Sequence, residues 1–314
     1  MKITRKLQLY TLFTLLTLVS ACTNHHTSKE TKSIDPLISA QWLNKHLNDS
    51  DLVVLDSSVI VNMNASGGFN LESGLEQFNQ GHIPKARFAD LKGNLSKTMS
   101  ELNFVMPTAM QFQSVMQKLG VGNNTRVVIY SVDNQDWATR LWWMLRWAGV
   151  DQVAILDGGL KAWTAAGFTL SNEISKQTEN VLILKLRPQV IAYEKEVLTS
   201  INNKQVNLFD AMPEMHFLGQ FSMYSRPGHI NGAINIPSSS VIAESGLFKP
   251  MDELDMMFDQ DKKHRSIAYC GGGVSASTVA FTLYRLGYED VAVYMGSLQE
   301  WAENPENPMT VLQE

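Results

Sequence analysis

Two of the 314 residues are cysteines, Cys22 and Cys270, and their settings imply different chemistry. Cys270 stands in Tyr269-Cys270-Gly271-Gly272-Gly273-Val274-Ser275-Ala276, between an apolar run and a helical pattern. A glycine-rich turn from strand into helix lets successive backbone N–H groups converge on one point. The helix N-terminus adds partial positive charge there. A cysteine in such a cradle is expected to have a lowered pKa and to be a thiolate nucleophile at neutral pH. Its helpers are the backbone groups of Gly271, Gly272, Gly273, Val274, Ser275 and Ala276. The plainer alternative is a small apolar cysteine buried after a strand.

Cys22 closes a different pattern. Lys2, Arg5 and Lys6 precede an uncharged, mostly apolar run of 15 residues from Leu7 to Ala21. That run is shorter than the roughly 20 residues of a membrane span and reads as a secretory signal. Its end, Val19-Ser20-Ala21-Cys22, resembles the bacterial lipobox, in which the cysteine is lipidated and becomes the new N-terminus. The expectation is a lipoprotein signal peptide over 1–21 and a polar tether over 22–33. Lipid on Cys22 would anchor the chain in a bacterial cell envelope, facing the periplasm. Thr23 stands where aspartate would resemble an inner-membrane retention signal, which favours the outer membrane. An ordinary signal peptide with a chance cysteine is the alternative.

The elements that must position Cys270 are written twice. Gly81-His82-Ile83-Pro84-Lys85-Ala86 recurs as Gly228-His229-Ile230-Asn231-Gly232-Ala233. Arg126-Val127-Val128-Ile129-Tyr130 recurs as Arg265-Ser266-Ile267-Ala268-Tyr269. Gly149 and Gly287 each sit nine residues before a second glycine, Gly158 or Gly296, and Trp163 and Trp301 follow those by five. This order implies two homologous domains, 34–170 and 189–308, joined by an arm over 171–188. Strands are expected at 52–55, 126–130 and 153–156 in the first copy, and at 206–209, 267–269 and 291–294 in the second. Helices are expected at 108–119, 137–148 and 274–286, the first bounded by Pro107 and Gly120. Such alternation implies an α/β fold, each domain a parallel sheet flanked by helices on both faces. Ligands bind such sheets at the carboxyl ends of the strands. The run Trp142-Trp143-Met144-Leu145 reads as a helix buried on two sides, packed against the other domain.

Composition removes several classes. With 44% hydrophobic and 18% charged residues the chain can bury a core. Two cysteines exclude a disulfide scaffold and a four-thiolate metal site within one chain. A net charge of -5 gives no basic footprint for nucleic acid.

On these residues the chain resembles the rhodanese family of sulfurtransferases. Cys270-Gly271-Gly272-Gly273-Val274-Ser275-Ala276 is similar to the family's C-x-x-G-V-T/S-A loop, and Gly228 to Asn235 to its G-H-I-P-G-A-x-N signature. Tyr294-Met295-Gly296-Ser297-Leu298-Gln299-Glu300-Trp301 is similar to its Y-D-G-S-x-x-E-W ending, with Met295 in place of aspartate. The resemblance implies tandem rhodanese-like domains of the thiosulfate and 3-mercaptopyruvate type. Ser131 aligns with Cys270, so the first domain lacks the nucleophile. The family chemistry is a persulfide on Cys270, loaded by a small sulfur donor and unloaded by a thiophilic acceptor such as cyanide or a thiol. It implies no metal and no organic cofactor.

The departures concern the donor. Gly271 and Gly272 stand where thiosulfate enzymes of the family tend to be basic. The mercaptopyruvate side often has serine at Gly272, working with a histidine that His82 matches. The family's D-A-R-x-x-x-R-F is here Asp210-Ala211-Met212-Pro213-Glu214-Met215-His216-Phe217, so Met212 and His216 replace arginines. His216 would hold an anion only when protonated, which leaves Arg226 as the expected anion contact. Two rival classes stand beside this reading. A C-x5-R phosphatase loop needs arginine where Ala276 stands. A non-catalytic relay or partner-binding lipoprotein is the other.

Overall fold

The computed structural model describes residues 33–63, 69–97, 102–176 and 178–312. The expected signal peptide, Cys22 and nearly all of the expected tether therefore lie outside the described residues.

The first copy opens with β1 (Leu37–Ile38) and α1 (Ala40–His46), then β2 (Leu52–Asp56). An antiparallel hairpin, β3 (Val59–Met63) and β4 (Phe69–Ser73), leads to α2 (Leu75–Gln80) and β5 (Arg87–Phe88). There follow α3 (Ala109–Lys118), β6 (Arg126–Tyr130), α4 (Gln135–Trp147), β7 (Val153–Leu156) and α5 (Gly159–Ala165). The second copy repeats this with β8 (Ile191–Ala192), α6 (Glu194–Ser200), β9 (Val206–Asp210), α7 (Glu214–Phe217), β10 (His229–Ile230) and β11 (Ile234–Asn235). It continues through α8 (Met251–Met257), β12 (Arg265–Tyr269), α9 (Ser275–Arg285), β13 (Asp290–Tyr294), α10 (Ser297–Trp301) and β14 (Met309–Thr310).

Both five-stranded sheets are parallel and share one order, β1-β7-β6-β2-β5 in the first and β8-β13-β12-β9-β11 in the second. The long strands are apolar runs because both faces are covered. Along the first sheet, side chains alternate between two cores. Val54, Val128, Tyr130, Ala154 and Leu156 pack with Leu43, Phe78 and Trp163 of α1, α2 and α5. Val53, Leu55, Val127, Ile129, Val153 and Ile155 pack with Phe112 and Met116 of α3 and Leu141 and Leu145 of α4. That second core runs on into the second copy without a break.

The expected strands and helices form within a residue or two of their predicted ends. Helix α3 is capped by Thr108, whose hydroxyl accepts from Gln111 N. Helix α4 is buried on both sides as its sequence implied: Trp142 meets Phe281 and Tyr284 of α9, and Trp143 donates to Val190 O. The two-residue strands and the β3–β4 hairpin were not expected. The 171–188 arm is strapped to the first copy rather than looped out. Leu182 is buried, Ser171 pairs with His82, and Lys185 N and Arg187 N donate to Ala148 O and Trp147 O.

Candidate active site

Strand β12 ends at Tyr269, and residues 270–274 turn the chain into α9. Helix α10 fixes the turn from outside. Leu298 N donates to Cys270 O (2.9 Å) and Gln299 N to Gly271 O (3.0 Å). Cys270 N donates to Ser297 Oγ (3.1 Å), which itself donates to Tyr294 O (2.6 Å). Ser297 holds φ +53°, a left-handed backbone uncommon for serine. That strained residue aims its hydroxyl at the nucleophile's own peptide.

With the turn held, Gly273 N donates to Cys270 Sγ (3.1 Å), and the nearby N–H groups of Gly272 and Ala276 favour its thiolate. One donor of the expected cradle, Gly273 N, is thus on the sulfur. The resting charge of the thiol differs from expectation. Cys270 is 2% exposed, and burial pushes the thiol above its ordinary value, against the three N–H groups that pull it down. Asp136 adds a smaller push in the same upward direction. Desolvation therefore outweighs the cradle, and the thiolate forms on the alkaline side.

The glycines are demanded by what touches them. A Cβ on Gly271 would stand 1.9 Å from Tyr224 Oη and 3.7 Å from Met212 Sδ. One on Gly272 would be 3.0 Å from Gln299 Nε2. Gly273, at φ +76°, would meet Arg140 Nη1 and the backbone of Met295. Tyr224 thus covers the turn beside Cys270 and its pKa is raised, chiefly by burial. No sequence motif pointed to it.

The first copy supplies much of the surroundings. Asp136 of α4 accepts from Ser275 Oγ (2.8 Å), Ser238 Oγ (3.2 Å) and Thr278 Oγ1. Thr139 and Thr278 meet hydroxyl to hydroxyl at 2.8 Å. Gln299 exchanges two bonds with the backbone of Asn103 (2.9 and 3.0 Å). Arg140 crosses to donate to Gly273 O (3.1 Å) and also binds Phe104 O (2.6 Å). The sequence signal for Asp136 and Arg140 was charge in the first two turns of α4, ahead of its apolar run Leu141 to Leu145.

Three expected contacts are corrected. Arg226 spends its guanidinium on the backbone carbonyls of Trp301, Ala302, Asn304, Pro305 and Asn307, so it ties down the C-terminal turn and has no free edge for a substrate anion. His82 is fully buried and stacked on Phe78, with Nδ1 2.7 Å from Phe78 O and Nε2 3.2 Å from Glu173 O. It is a structural histidine of the first copy. His216 lies edge-on to Phe221, and burial lowers its pKa, so it is neutral and brings no positive charge. Among the described residues no three His, Cys, Asp or Glu side chains cluster as metal ligands would.

The Rhodanese-like domain family matches this chain twice, over residues 39–166 and 194–304. The chain belongs to the rhodanese family. This family member is 32% identical over 275 residues to a chicken (Gallus gallus) thiosulfate sulfurtransferase, covering 84% of this chain and 92% of the relative. It is 31% identical over 280 residues to the 3-mercaptopyruvate sulfurtransferase of Escherichia coli K12, covering 87% and 96%. The crystal structure of SseA from Escherichia coli, a 3-mercaptopyruvate sulfotransferase, superposes with a TM-score of 0.75 at 29% identity, covering 84% of this chain and 99% of that one. Tandem rhodanese domains with the cysteine loop in the second are thus the architecture of this protein.

Proposed function

We propose that this chain is a sulfurtransferase that carries sulfane sulfur from thiosulfate or 3-mercaptopyruvate to cyanide or a thiol, through a persulfide on Cys270. The observation that carries the reading is a lone buried sulfur that accepts from Gly273 N at the strand-to-helix turn, where the N–H groups of Gly272 and Ala276 also favour its anion. Curated relatives spanning most of the chain are sulfurtransferases of these two types.

In the first half-reaction the Cys270 thiolate attacks the outer sulfur of thiosulfate. A new S–S bond forms, the donor's S–S bond breaks, and sulfite leaves with the bonding pair. With 3-mercaptopyruvate the broken bond is C–S, and pyruvate leaves after taking a proton. In the second half-reaction cyanide attacks the outer persulfide sulfur, the enzyme's S–S bond breaks, and the thiolate is restored. Splitting one exchange into two covalent steps lowers each barrier. Backbone donors already aimed at the sulfur stabilise its anion without reorganising. The side chains nearest Gly271 are those of Met212 and Tyr224, both neutral.

The test is thiocyanate formation from cyanide with each donor, by the whole protein and by Cys270→Ser. Turnover lost in the variant, together with one sulfur added to the wild-type mass after donor treatment, supports the reading. Equal turnover in both refutes it.

The reading extends to location. Lipid on Cys22 would hold the catalytic domains at the surface of a bacterial envelope membrane, and Thr23 favours the outer one. No described helix is long and apolar enough to cross a membrane. Intact mass of detergent-extracted protein decides the matter: an acylated N-terminal Cys22 supports it, and an unmodified one refutes it.

A further inference from the structure

Arg140 is 1% exposed, and among the described residues no carboxylate pairs with it. Its donors go to Gly273 O, Phe104 O and the sulfur of Met295. A guanidinium buried without an anion is unfavourable unless something nearby gains from the charge. The acid one turn earlier on its own helix, Asp136, is engaged elsewhere, by Ser238, Ser275 and Thr278. Met295 occupies the place where the similar family motif has aspartate, so a methionine touches the guanidinium instead of a charge-cancelling group.

The group that this charge lies behind is Cys270. Arg140 binds the carbonyl of Gly273, the residue whose N–H meets the sulfur, and Ser277 Oγ binds the same carbonyl (2.8 Å). Arg140 and Cys270 interact electrostatically, and burial draws the guanidinium down to about 10 while Cys270 pushes it back up. The other ionisable groups around the sulfur give it nothing. Asp136 opposes a thiolate from α4; Tyr224 and Tyr269 have raised pKa values and stay neutral, and Asp210 lies behind Tyr269.

We propose that Arg140, contributed by the copy without a nucleophile, is a positioning residue that puts an unshared positive charge behind the Cys270 loop, and that Met295 is what leaves this charge unshared. The inference rests on Cys270 being the sulfur-carrying nucleophile.

Cys270 alkylation by iodoacetamide, mapped by peptide mass in the full chain and followed against pH, tests it. Met295→Asp supplies the cancelling charge. Its alkylation midpoint is expected to rise by about one unit, with a roughly tenfold slower reaction at neutral pH. Met295→Asn adds polarity without charge and is expected to move the midpoint by less than about 0.3 unit. Arg140→Met is expected to behave as Met295→Asp does, and Arg140→Lys to keep part of the effect. Identical midpoints in Met295→Asp and Met295→Asn would overturn the proposal, whether or not the Arg140 variants fold. Alkylation reads the thiolate, so this outcome is separate from failure of persulfide formation in the wild type.

Discussion

The two copies build the same turn from different residues, and only one turn can hold an anion. Ser131 and Cys270 both follow the third strand of the sheet order and precede its longest helix, α4 or α9. In the first turn the residues satisfy one another. Ser131 Oγ donates to Asn134 O, Asn134 Oδ1 accepts from Asp136 N (2.8 Å), and Asp133 pairs with Lys161 (3.1 Å). Gln135, in the amide orientation that satisfies both ends, accepts from Gly158 N (2.6 Å) and Gly159 N (3.2 Å). In the second turn Gly271, Gly272 and Gly273 offer no side chains, and Gly273 N turns to the sulfur. Glycine here serves by leaving donors unclaimed. A cavity of about 540 Å³ lies beside the first turn, walled by residues 131–136 on one side and by Ser238, Ser239 and 242–246 on the other.

The comparison breaks most directly at the nucleophile. Cys270→Ser is expected to lose about 10⁴-fold or more in kcat, the scale on which single members of a covalent machinery act. Adding Ser131→Cys to that variant is expected to restore nothing, because the first turn has spent its donors. Thiocyanate formation by the double variant would show that the turns are interchangeable.

A smaller effect comes from giving the second turn a residue of the first. Gly271→Val copies Val132 and drives a side chain into Tyr224, so kcat/KM is expected to fall by about 10²-fold, as a displacement near 1 Å can cost. Tyr224→Ala in the same chain should recover most of that loss in steady-state kinetics. A Gly271→Val variant that is equally poor with and without Tyr224 would place the conflict elsewhere.

Asp136→Asn sharpens the contrast by dividing stability from reactivity. It weakens three hydroxyl contacts across the copies and is expected to cost about 1–3 kcal/mol in urea unfolding. Yet it removes an anion that opposes the thiolate, so the Cys270 alkylation midpoint should fall.

The most gradual effects are those of pH. Burial raises Cys270, so the thiolate fraction and the first half-reaction should climb with pH through and beyond the ordinary thiol range in single-turnover kinetics. Asp210 is pushed up to about 6 by burial, so the native state holds a proton that the unfolded chain releases near 4. Its contribution is complete below about pH 4 and is lost as pH rises through 6, about 2–3 kcal/mol in all. Asp210→Asn should flatten that part of the stability profile in thermal melts.

The sequence exposed the parts that local pattern determines. Apolar runs of four or five residues placed the central strands, and glycine spacing revealed the duplication. The cysteine loop was legible because strand, turn and helix are contiguous there. What escaped was set at a distance. Strands of two residues carry no period, so β1, β5, β8 and β11 exist only by pairing with a longer neighbour. Tyr224 lies on an irregular segment, and only folding brings its hydroxyl to Gly271. Arg226 looked like an anion contact because five carbonyls 75 to 81 residues away cannot be read from its neighbours. The thiol's direction of shift was misread for a related reason: the donors are local, but the burial that outweighs them is a property of the whole fold.

The contact between Thr139 and Thr278 has a consequence for ancestry. Each lies eight residues after its own turn residue, Ser131 or Cys270, so the two are the same position of the repeat. A position that touches its own counterpart lies on a two-fold axis, which is the signature of an isologous dimer. The paired helices α4 and α9 thus meet as the two halves of an isologous dimer would. A symmetric ancestor would have held two equal turns, each backed by the other's helix. In this chain one turn carries the nucleophile, and the helix that follows the other turn backs it.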